Sequence, residues 1–134
     1  MEQHVCPTCQ QNLPMSHVDV IDVRAAVEND KLSKDDVFKR TYIGNGTQSS
    51  VFVFQGHPGP FRKHIHVTHD EIGYVLAGSG SVTVGDVTRP VKPGDVWVIP
   101  ANTPHQGEFQ DACEVLFVSS PIDDPDNPDR VWLD

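Results

Sequence analysis

Residues 64–71 read His-Ile-His-Val-Thr-His-Asp-Glu: three histidines and two acids in eight positions, running into an apolar stretch that stops at glycines. Imidazole nitrogens and carboxylate oxygens make a mixed N/O donor set for a metal ion. Such side chains usually scatter over a surface rather than gather before a buried strand. In an extended chain residues i and i+2 point to the same side about 6–7 Å apart, so His64 and His66 can tilt toward one ion at about 2.0–2.1 Å per Zn–N bond. Further ligands must come from other strands. Glu71 follows the short connection of residues 67–70, and if the chain doubles back there it opens the neighbouring strand. Alternation then places Glu71, Gly73, Val75 and Ala77 on one face and Asp70, Ile72, Tyr74 and Leu76 on the other, so one of the adjacent acids meets the histidines. The best distant donor is His105, which follows the stiff turn Pro100-Ala101-Asn102-Thr103-Pro104.

The elements that must carry these residues are short. Apolar runs fall at 38–43, 48–55, 61–67, 71–77, 80–84, 87–91, 95–99, 105–109 and 113–119, divided by Gly, Pro, Asn and Asp turns. Gly85-Asp86 is a two-residue hairpin signal. Helical crossovers are missing from this stretch, so the pattern predicts an all-β fold, an antiparallel sandwich or barrel. One short helix is expected within 19–32, with Val20, Val23 and Val27 on its apolar stripe and Asp22 or Asp19 as N-cap. Residues 1–17 read as a polar N-terminal arm, 18–122 as the single domain with its barrel at about 48–119, and 123–134 as a solvated acidic C-terminal tail.

Composition narrows the function. The 134 residues, 37% hydrophobic and 22% charged, suit one globular domain with a real core. Nineteen acids against ten bases give a net charge of −9, which disfavours nucleic acid and anionic membrane as partners and leaves a small molecule as the expected ligand. Neither an apolar run of the ~18 residues a membrane helix needs nor a secretory leader pattern is present. Three cysteines, an odd count, argue against a disulfide framework and for a reducing compartment, so a cytoplasmic protein is expected. Cys113 alternates with Val115 and Phe117 and reads as core. Cys6 and Cys9 form half of a zinc knuckle, a second candidate site for a structural zinc that would need two more ligands.

Two longer patterns carry a family resemblance. His64, His66, Glu71 and Gly78 meet HxHx4Ex6G, and Gly94, Pro100 and His105 meet Gx5P followed by His five residues on. Together they resemble the two motifs of the cupin superfamily, separated by a short insert at 79–93 as in its small single-domain members. One departure is Asn102 in place of a glycine, a residue that tolerates positive φ. The resemblance implies a double-stranded β-helix, or jelly roll, holding one divalent metal on His64, His66, Glu71 and His105. That donor set suits Fe, Mn, Ni, Zn, Co or Cu. Small cupins commonly pair, and the Ile72, Tyr74, Leu76 face is apolar enough to need cover, so a homodimer is expected.

The expected function is that of a metal-dependent enzyme, dioxygenase-like, acting on a small polar or anionic molecule. The alternatives are an isomerase or lyase of a sugar or keto acid, and a non-catalytic sensing module. Arg62 shares strand parity with His64 and His66, which makes it a candidate catalytic residue as a clamp for a substrate carboxylate. Tyr42, Gln106 and Glu108 are further polar candidates. His57 and His69 match no motif position and read as surface residues, with a role at the pocket mouth as the alternative for His69.

Overall fold

A computed structural model of the chain describes residues 3–5, 12–14, 20–124 and 126–133. In chain order its elements are β1 (Gln3–Val5), β2 (Asn12–Pro14), α1 (Val23–Glu28), β3 (Phe38–Asn45), β4 (Ser50–Gly56), β5 (Gly59–Ile65), β6 (Asp70–Ala77), β7 (Gly80–Val84), β8 (Val87–Val91), β9 (Val96–Ile99), β10 (His105–Phe109), β11 (Cys113–Ser120) and β12 (Val131–Trp132). β1 and β2 pair as a hairpin. The other strands form two antiparallel five-stranded sheets, ordered β3-β4-β11-β6-β9 and β12-β5-β10-β7-β8. Strands from the two halves of the motif region alternate within each sheet, which is the winding of a double-stranded β-helix. Each expected strand forms with its ends within two residues of expectation, because alternation and turn chemistry agree along this stretch. Gly85, at φ +59°, opens the two-residue turn that brings Val84 opposite Val87.

The core lies between the sheets. Along β11, Cys113, Val115 and Phe117 are buried at every second position and meet Phe52 and Val75 from the same sheet. Val82, Val91 and Phe109 close it from the other sheet. Full burial of side chains of this size stabilises by about 1.5–3 kcal/mol each. Burial also pushes the Cys113 thiol up to about 11, which leaves it a packing group.

The helix is shorter than its sequence pattern. Asp22 caps it by accepting from the Ala25 N–H at 3.1 Å, while Val20 lies before the helix and is fully exposed rather than on its stripe. Val27 is the helical residue that is fully buried. Buried Gln55 ties the segment after the helix to β4, donating to the Asp30 carbonyl at 2.8 Å and accepting from the Leu32 N–H at 3.1 Å. Farther along the same sheet, Ile72, Tyr74, Val96 and Val98 stay exposed on adjacent strands.

The acidic tail is not simply solvated. Asp123 is 4% exposed, and β12 pairs with β5 so that Trp132 lies opposite His64. Residues 121–124 and 126–133 therefore lie as a strap across the histidine end of the barrel.

Candidate metal centre

β5 reaches the site through a bulge. His105 pairs with His64 while Gly107 pairs with Phe61, so β5 spends an extra residue between these two points. An extra residue reverses strand parity. Phe61 packs against the core cluster, His64 faces the same interior, and Arg62 is exposed. The parity argument for Arg62 thus fails at the bulge. Its guanidinium lies 4.7 Å from the Trp132 ring at the cavity rim.

His64, His66 and His105 place ligand nitrogens within 4.8 Å of one another. Their Nδ1 atoms lie 2.7, 2.6 and 3.0 Å from the carbonyl oxygens of Arg62, Asp129 and Thr103. A carbonyl can only accept, so each Nδ1 carries a proton and each Nε2 is turned to the interior. At His105 that Nε2 is buried without a hydrogen-bond partner. An orphaned buried acceptor costs about 1–3 kcal/mol, and a metal ion would satisfy it. Burial pushes His64 down to about 4, with His105 and His66 adding to the push, so it is neutral near pH 7 as a ligand must be. These residues fit a divalent ion.

Glu71 lies beside this group and is buried. Its Oε1 is 3.0 Å from His66 Nε2, and its Oε2 is 3.8 Å from His105 Nε2. Burial would raise its pKa, but the bond to His66 and the charges around it outweigh burial and keep it ionised. In turn His66, lowered by burial, is held above its ordinary value mainly by Glu71. The inward face Glu71, Gly73, Val75 is the one alternation assigned.

Trp97, on β9, joins the site although it belongs to neither motif. Its Nε1–H donates to Glu71 Oε2 at 3.1 Å. It sits opposite Gly73, where a Cβ would fall 2.3 Å from the indole ring, so the glycine makes room for the group that orients Glu71. Replacing Trp97 by Phe keeps the ring and removes the donor. Metal affinity should fall roughly 10–100-fold, as outer-shell losses do, in a chelator-competition titration.

His69 is not a surface residue. It is 2% exposed, stacks on His66 with ring centroids 4.3 Å apart, and places Nδ1 2.9 Å from Asp129 Oδ2. The Asp129 carboxylate accepts from the Val67 N–H, the Thr68 N–H and the Thr68 hydroxyl at 3.0, 2.7 and 2.7 Å. Burial works against its charge, yet these donors hold its pKa down to about 2. Asp129 therefore fixes the loop after His66 with its side chain and His66 itself with its carbonyl. Asn102 adopts φ +62°, as its residue type allows, and its N–H holds the His66 carbonyl. His57 is exposed, its Nε2 near the Ser33 and Asp36 carbonyls. Gln106 and Glu108 are exposed on β10, and Tyr42 bonds Arg40 and Asp123. Cys6 and Cys9, with the zinc expected there, lie outside the described residues.

A cavity of about 460 Å³ opens beside the histidines, its surface mainly apolar and including several Phe and Trp side chains. Two wound sheets around a histidine-lined interior make this a double-stranded β-helix protein with a histidine group that could hold a metal. The Cupin domain profile matches residues 50–119, over half of the sequence, and the chain belongs to the cupin family. It is 44% identical over 45 residues to an uncharacterized protein of Methanocaldococcus jannaschii, a match spanning 34% of this chain and only 36% of that relative's length. Among solved structures it resembles KdgF from Halomonas sp., with TM-score 0.63 and 26% identity over 70% of this chain and 89% of that one. A double-stranded β-helix protein from Klebsiella pneumoniae gives TM-score 0.67 at 18% identity, covering 86% of this chain and 96% of that one. Pac13 from Streptomyces, a nucleoside dehydratase, gives 0.63 at 18%, covering 80% and 87%. The last two likenesses concern the fold.

Proposed function

We propose that the protein is a metal-dependent enzyme acting on a small anionic molecule, with dioxygenase chemistry as its reaction. The convergence of His64, His66 and His105, with Glu71 alongside, at one end of an accessible cavity carries this reading. We read Glu71 as the fourth ligand. A divalent ion on these residues would supply Lewis-acid or redox chemistry with coordination positions left for substrate. The chain's own part is preorganisation: carbonyls fix each imidazole, Trp97 aims Glu71, and the aromatic wall excludes water.

The test is oxygen uptake with a panel of small organic acids after reconstitution with Fe(II), Mn(II) or Zn(II). Fe(II)-dependent oxygen consumption supports the reading. Anaerobic turnover with Zn(II) or Mn(II) replaces it by an isomerase or lyase, and tight binding without turnover by a sensing module.

The exposed Ile72, Tyr74, Val96 and Val98 patch supports a homodimer. Sedimentation should give twice the 14.8 kDa chain mass, and Tyr74→Glu should return it to one chain.

A further inference from the structure

The charged end of the cavity is the histidine end. Arg130 borders it, one residue after the carbonyl that holds His66, with its guanidinium 4.5 Å from the Trp132 ring. Trp132 in turn meets His64 edge-on at 5.4 Å. Arg130 is half-buried and makes no ion pair among the described residues, in a chain with nine surplus acids. Burial and the nearby Arg40 both push its pKa down, with Asp123 in opposition. With no carboxylate on it among the described residues, a guanidinium so placed can offer its fork to a ligand carboxylate in two parallel bonds.

Phe and Trp side chains supply much of the apolar wall. Phe54 lies 5.4 Å from Phe38, 4.9 Å edge-on from Phe61 and 6.2 Å from Phe117. Trp97 and Phe52 extend this lattice through Phe117 at 5.9 and 5.3 Å. The exposed surface of the cavity is mainly apolar, so a sugar entering here would find few partners for its many hydroxyls. A flat ring would gain area burial and edge-to-face contacts.

We propose that the cavity binds an aryl carboxylate, its acid group held by Arg130 beside the histidines and its ring against Phe54, Phe61 and Phe117. The proposal rests on the metal-enzyme reading for the nature of the site and adds the substrate class. It is tested by calorimetric titration of the full chain with cinnamate, hexanoate, glucuronate and uridine, metal-free and after zinc uptake has been measured. Cinnamate should bind about tenfold more tightly than glucuronate or uridine and roughly threefold more tightly than hexanoate. Arg130→Gln should weaken cinnamate by about tenfold, and Arg130→Lys by less, because Lys keeps the charge without the fork. Phe54→Leu should erase the preference for cinnamate over hexanoate, a readout that does not depend on Arg130. Glucuronate, uridine or hexanoate binding as tightly as cinnamate, or Arg130→Gln without effect, overturns the proposal. Failure of zinc uptake with the cinnamate preference intact removes the metal reading and leaves the aryl-acid pocket.

Discussion

His105→Ala is expected to reduce metal affinity at least a hundredfold, beyond the roughly 10–100-fold that loss of an outer-shell partner costs. His105 is interior, its Nδ1 is committed to the Thr103 carbonyl, and its Nε2 has no other use. Deleting it also removes a buried orphan acceptor, so the metal-free protein should keep its stability to within about 1 kcal/mol. The two effects separate in one experiment. Zinc at a hundred times its dissociation constant should stabilise the wild type by about 2.7 kcal/mol and raise its melting temperature. At the same zinc concentration a variant weakened at least a hundredfold should gain no more than about 0.4 kcal/mol, and elemental analysis should find it at most half occupied. A variant that takes up zinc like the wild type would remove His105 from the ligand set.

The strands and the histidines were legible for the same reason: both are periodic. Alternation in β6 and β11 predicts which side chains enter the core, and the structure buries Glu71, Val75, Val115 and Phe117 accordingly. His64 and His66 carry their pairing in their spacing, and His105 announces itself by the stiff turn before it. The bulge in β5 has no such marker, since Arg62 and Lys63 are ordinary strand residues. One inserted residue was enough to carry Arg62 out and Phe61 in. His69 looked like a surface residue because its partner is Asp129, sixty positions away in a segment whose composition reads as solvent-loving. Composition describes the average of that tail. Asp123 and Asp129 depart from the average because each meets a specific donor set that only the folded strap brings near. Trp97 could have been found from register: once β6 and β9 are paired, Gly73 opposite Trp97 shows where the indole must go.

Asp123→Ala is expected to cost about 3–5 kcal/mol, the loss that follows when a buried pair is left with one charge. Both carboxylate oxygens are engaged: Oδ2 accepts from Arg40 Nη2 at 2.8 Å, and Oδ1 accepts from the Asp129 N–H at 3.0 Å. Arg40 has a side chain only 17% exposed and lies 4.2 Å over the Phe52 ring, so water cannot readily replace the lost carboxylate. The exposed Lys92–Asp95 pair supplies the contrast, because Lys92→Ala there should barely move the urea midpoint. Metal affinity should fall as well. Without Asp123 the Asp129 N–H loses its anchor, and Asp129 is the residue whose carbonyl fixes His66. Replacing the pair together, Arg40→Met with Asp123→Leu, should recover most of the stability because no uncompensated charge remains. It should not recover the metal affinity, because leucine cannot accept from Asp129. Urea unfolding and zinc titration of the three variants therefore distinguish a strap that merely seals the barrel from one that also aims a ligand. Recovery of both quantities in the double variant would assign the strap the first role alone.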